Sequence, residues 1–69
     1  MKLSARNVLK GKAIKINYGA VVSEVVIQLP GGDEIVSVIT KSSLDSLKIT
    51  EGKKVYAIIK ASNVVIGVD

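Results

Sequence analysis

The chain contains neither cysteine nor histidine, and for 69 residues no other feature constrains it more. Without cysteine there are no disulfides, thiolate metal sites or thiol chemistry. Without histidine the commonest catalytic base and transition-metal ligand are gone. A chain this short buries only about 60% of the surface its unfolded form exposes. Small domains offset that with disulfides, a structural metal or a partner. Only the partner is left here. Val and Ile fill 20 of the 69 positions, against two aromatics, Tyr18 and Tyr56. Such β-branched residues favour sheet. The expectation is a small β-rich chain that is stable as an oligomer.

Ten Lys and Arg stand against six Asp and Glu, a net charge of +4. That favours an anionic partner, but no long basic run points to nucleic acid. The longest apolar stretch, Ala20 to Leu29, is interrupted by Ser23 and Glu24. It is far short of the roughly 20 apolar residues a membrane helix needs. No apolar segment follows Met1 as a leader would. The chain reads as soluble and cytoplasmic, one domain over residues 1–69.

Periodicity places the elements. Lys12 to Tyr18 alternates, with Ile14, Ile16 and Tyr18 on one face, and Gly19 ends it. Ala20 to Leu29 follows, with Val21, Ser23, Val25, Ile27 and Leu29 facing one way. Its other face, Val22, Glu24, Val26 and Gln28, is half apolar, as for a strand covered twice. Pro30-Gly31-Gly32-Asp33 is a hairpin turn, and Glu34 to Thr40 returns. Thr40 to Leu47 then reads as a two-turn helix capped by Thr40 or Ser42, with Asp45 able to close a capping box on Ser42. After a turn at Glu51-Gly52-Lys53 come strands at Lys54–Ser62 and Val64–Val68, with room for a short one at Lys2–Ser4. Lys12 and Lys53 read as solvated strand and turn charges. The order β-β-β-α-β-β is that of an all-β, five-stranded OB-like barrel with one short helix.

Enzymatic readings lack parts. A nucleophile would have to be Ser, Thr or Lys, and the six carboxylates show no paired spacing. Gly11-Lys12 lacks the upstream glycine of a phosphate-binding loop. The chain is read as no enzyme and as holding no metal ion. What it does offer is hydrogen-bond donors suited to an oxyanion: Arg6 beside Ser4, the hydroxyls of Thr40 to Ser43, and Lys60 near Ser62. Taken singly, a hydroxyl at a helix start is most often a cap and a lone Lys or Arg a solvated charge.

Together, Ser4-Ala5-Arg6-Asn7, Val38-Ile39-Thr40-Lys41-Ser42-Ser43 and Lys60-Ala61-Ser62 resemble the molbindins. These are small cytoplasmic molybdate-binding proteins, first described as molybdenum-pterin-binding proteins. Their domain is also appended to molybdate-dependent regulators and transporter ATPases. The resemblance covers essentially the whole chain. It implies an OB-like fold assembled as a homohexamer, a trimer of dimers, storing molybdate or tungstate between subunits. By that resemblance Ser4, Ala5 and Arg6 of one subunit would meet Thr40, Ser43 and Lys60 of its neighbour. A second class of site near a threefold axis falls loosely on Gly19, Ala20, Val21 and Ser62. The bound species would be molybdate or tungstate, or a molybdopterin-related species, with no nucleic acid and no membrane as partner.

The chemistry agrees. Molybdate is an unprotonated tetrahedral dianion at neutral pH, so a site made only of donors suits it. Phosphate, partly protonated, would set a donor against donors. Sulfate has the same charge but shorter bonds, and only a fitted cavity rejects it. The competing reading is a basic OB-fold for single-stranded nucleic acid, which needs stacking aromatics that two tyrosines supply poorly.

Overall fold

A computed structural model describes residues 1–69. Four antiparallel strands, β1 (Asn7–Asn17), β2 (Val22–Gln28), β3 (Glu34–Thr40) and β4 (Lys54–Ile59), pair in the order β3-β2-β1-β4. One helix, α1 (Lys41–Ser46), joins β3 to β4. The strand β1 is the longest, because its first half pairs with β4 and its second half with β2. The alternation seen from Lys12 onward is therefore only its second half.

Sequence alternation also misassigned the faces of β1. Ala13 and Ile16 are both buried, although they are three residues apart. The β1–β2 register slips between Ala13 and Lys15. One extra residue there is a bulge, which switches the side-chain alternation and bends the strand. On β2 the expected face holds at Ser23, Val25 and Ile27, which are buried, whereas Val21 lies before the strand and is 74% exposed. Leu44 completes the core from α1, with Ala57 from β4, and Ile35, Ile39, Ile49 and Val55 pack around them.

The turns follow local chemistry. Gly32, in the hairpin turn, takes φ +97°, which a side chain would resist. The helix is capped by Thr40, whose Oγ1 accepts from the Ser43 N–H at 3.0 Å. The capping box between Ser42 and Asp45 does not form. At the other end Lys48 adopts φ 54°. The Ile49 N–H then bonds to the Leu44 carbonyl at 3.1 Å and the Lys48 N–H to the Asp45 carbonyl at 3.1 Å. This is a Schellman stop. Lys53, expected to be a solvated turn charge, adds to it by donating to the carbonyls of Leu47 at 2.8 Å and Lys48 at 3.0 Å.

Two further expectations are corrected. The chain forms a curled sheet of four strands, an open half-barrel and not a five-stranded barrel, since β4 ends at Ile59 and a 3₁₀ turn (Ala61–Asn63) follows. Val64 to Val68 forms no strand, and neither does Lys2–Ser4. The reason is the absence of a partner. Val64, Val65, Ile66 and Val68 are 51–93% exposed, and an apolar strand needs a ladder and a covered face. An apolar groove of about 460 Å³ opens between the free edges of β3 and β4, lined by Val36, Val38 and Ile58 among others. That is where a fifth strand would close the sheet into a barrel.

The half-open shape is measurable. A compact monomer of this mass would expose about 4,200 Å², whereas the chain exposes 5489 Å². Its radius of gyration is 12.7 Å, against about 11 Å for a compact 69-residue domain. Only seven of 69 residues are buried, which leaves the core no margin of its own. No helix is long and apolar enough to cross a membrane.

Candidate oxyanion site

The donors that the sequence singles out fall into two groups, at the two ends of β1. Arg6 stands just before the first β1–β4 pair, Asn7 with Ile59, and Lys60 just after it. One further step of that register sets Arg6 level with Lys60. Ser4 and Ala5 precede them, and Ser62 lies in the 3₁₀ turn beside them. The side chains of Ser4, Arg6, Lys60 and Ser62 are exposed, and Ala5 is half-buried. Asn7 ties this end together, its Nδ2 donating to the Ile59 carbonyl at 3.2 Å. Sequence reasoning gave Asn7 no role, although it closes the Ser-Ala-Arg-Asn motif; that adjacency was the available signal.

Thr40 and Ser43 sit at the other end. Thr40 is the last residue of β3, paired with Val22 at the start of β2. Its hydroxyl donates to Ser43 Oγ at 2.9 Å while accepting from the Ser43 N–H. The Gly19-Ala20-Val21 turn lies against the same helix start, where the Val21 carbonyl accepts from the Lys41 N–H at 2.9 Å. Gly19 is required there, because a Cβ would collide with the Val22 carbonyl oxygen.

Asn7 and Asn17 bound β1, ten residues apart, about 33 Å in a straight strand. The bulge shortens that path, but no hydrogen bond joins the two groups within the chain. Each candidate site is thus split: Ser4, Ala5, Arg6 and Lys60 from Thr40 and Ser43, and Ser62 from Gly19, Ala20 and Val21. Within its own chain Lys60 follows Ile59, the partner of Asn7, and so lies at the Arg6 end of β1. No group of three or more acidic residues is placed to hold a metal ion. The tyrosines do not form a stacking platform, since Tyr18 lies beyond the end of β1 and Tyr56 faces Lys10 in the β1–β4 ladder.

Comparison with known proteins identifies the family. The TOBE domain model matches residues 3–66. A probable molybdenum-pterin-binding protein of Haemophilus influenzae is 44% identical, with 100% of both chains covered. Molybdenum-pterin-binding protein 3 of Clostridium pasteurianum is 42% identical over 96% of this chain and 97% of its own. Among solved structures, the cytoplasmic molybdate-binding protein ModG, with molybdate bound, superposes with a TM-score of 0.96 at 46% identity. The match covers 100% of this chain and 49% of that one. The chain belongs to the TOBE-domain family, among its molybdenum-pterin-binding proteins.

Proposed function

We propose that the chain binds and stores molybdate or tungstate in the cytoplasm, at sites completed between copies of itself. The observation that carries this reading is the split donor set. One end of β1 offers the cations of Arg6 and Lys60 with the Ser4 hydroxyl, and the other offers the hydroxyls of Thr40 and Ser43. Ser4, Ala5 and Arg6 of one copy would face Thr40, Ser43 and Lys60 of the next. The second sites would join Ser62 to the Gly19-Ala20-Val21 turn in the same way. The relatives' names support a molybdenum load, and a molybdopterin-related species would be a variant of it. The chain's part is binding, with no catalytic step.

Calorimetric titration with molybdate, tungstate and sulfate tests the reading. Tungstate and molybdate match in size, charge and protonation, so their affinities should agree within about tenfold, or ~1.4 kcal/mol. Sulfate's shorter bonds forfeit contacts held at fixed distances. Two neutral hydrogen bonds lost at about 1 kcal/mol each give a factor of roughly 30 against it. Sulfate displacing molybdate at comparable concentration would leave only a generic anion site.

Self-association is supported by the unfilled groove and the unpaired tail, and the resemblance implies that the assembly is a hexamer built as a trimer of dimers. The Val64–Val68 segment of one copy fits the gap between β3 and β4 of another, completing the barrel that the single chain leaves open. Removing residues 64–69 should therefore lower the mass seen by light scattering at micromolar concentration and lower the unfolding midpoint with it. A truncated chain that keeps its oligomeric mass would rule this arrangement out.

A further inference from the structure

Away from both halves of the oxyanion site, the outer face of the sheet carries a basic cleft of about 610 Å³. Its side chains form two rows across the strands. The first row is Gln28, Lys12 and Lys54, set by the pairs Lys12 with Gln28 and Lys12 with Lys54. The second, two residues along, is the Lys10–Tyr56 pair, with Pro30 of the hairpin turn walling one side. Directly opposed residues share a face with Cβ atoms about 4.5–5.5 Å apart, and like charges placed so destabilise the sheet. No carboxylate lines the cleft. Beneath it β1 presses on β2 at Gly11, where a Cβ would come within 2.6 Å of Ile27 Cγ2 and 2.8 Å of the Gln28 carbonyl. The backbone that carries the lysines is thereby fixed.

We propose that this cleft is a separate anion site, for a small molecule bearing a phosphomonoester or oligophosphate group. Its volume lies in the range of small-molecule pockets and is far larger than one tetrahedral oxyanion. Three ammonium groups act as point charges on phosphate oxygens, without the bidentate fork of arginine. Tyr56, 51% exposed, and the Gln28 amide offer a ring face and a polar contact to the rest of the ligand. An extended acidic peptide is the competing occupant, because the first half of β1 pairs with β4 alone and leaves an edge beside the cleft, and titration with both probes separates the two. A second copy docking an apolar surface fits less well, since three cations would be buried uncompensated.

The test uses the full chain saturated with molybdate, so that the first site is occupied, and inorganic pyrophosphate as probe. Pyrophosphate should bind in calorimetry, and the double variant Lys12→Gln/Lys54→Gln should weaken it at least tenfold while molybdate affinity stays unchanged. Arg6→Ala should weaken molybdate and leave pyrophosphate as it was. The double variant removes a like-charge opposition, so folding is not at risk. No pyrophosphate binding to the saturated protein, or equal losses in the two variants, would overturn the proposal. So would a glutamate-rich peptide that binds the cleft more tightly than pyrophosphate, which would assign it to an acidic protein instead.

Discussion

Replacing Leu44 by Ala should destabilise the protein by about 2–5 kcal/mol, the range for emptying a buried leucine site. Leu44 is 2% exposed and is the largest fully buried side chain. It projects from α1 into a core of only six hydrophobic residues, so few neighbours can collapse into the space it leaves. Whole domains have only about 5–15 kcal/mol to lose. Leu47, three residues on, is 59% exposed, and Leu47→Ala should change stability by less than about 0.5 kcal/mol. The comparison should be made by denaturant unfolding at one protein concentration, because assembly feeds into the measured stability. Equal effects at the two leucines would mean that α1 does not plug the core. Ser43 lies on this helix and Thr40 caps it, so with the proposed site Leu44→Ala should weaken molybdate binding as well, and by more than a surface change on α1.

Most of the strand order was legible because turn chemistry and period-two patterning are local. Pro30-Gly31-Gly32-Asp33 marked the hairpin, the inner face of β2 read correctly from Ser23, Val25 and Ile27, and Thr40 was one of the two expected caps. What failed was set by tertiary pairing. The bulge between Ala13 and Lys15 is invisible to strict alternation, which put Ala13 on the wrong face. Lys53 looks like any turn lysine until the αL residue Lys48 brings two carbonyls within its reach. The strand at Val64–Val68 has the composition of a strand, yet strand is a property of a pair, and this chain supplies no partner for it.

The donors were legible singly as residue types and jointly only through the resemblance. No periodicity tells that Arg6 and Lys60 stand level; that follows from the Asn7–Ile59 pair, 52 residues apart in sequence. Nor does the sequence show that Thr40 lies at the far end of β1. In the proposed assembly, the separation of the two groups makes ordinary caps and surface charges two complementary half-sites.

Arg6→Ala should therefore weaken molybdate by about 1.5–3 kcal/mol, the range for hydrogen bonds to charged groups, which is roughly 10- to 150-fold. Lys60→Ala should do the same, and Lys12→Ala, on the other face of the molecule's chemistry, should cost far less. Equal losses at all three would mean a diffuse field and no defined cage. Subunit mixing sharpens the test. A chain with Arg6→Ala keeps its Thr40 half, and one with Thr40→Ala/Ser43→Ala keeps its Arg6 half. Each alone should bind weakly at every site. Unfolded together and refolded as mixed assemblies, roughly one interface in four should pair an intact Arg6 half with an intact Thr40 half, if chains combine at random around the symmetry axes. Near-native calorimetric affinity should then return at about that fraction of sites. If both halves came from one chain, mixing would restore nothing, because every chain in the mixture carries a broken half.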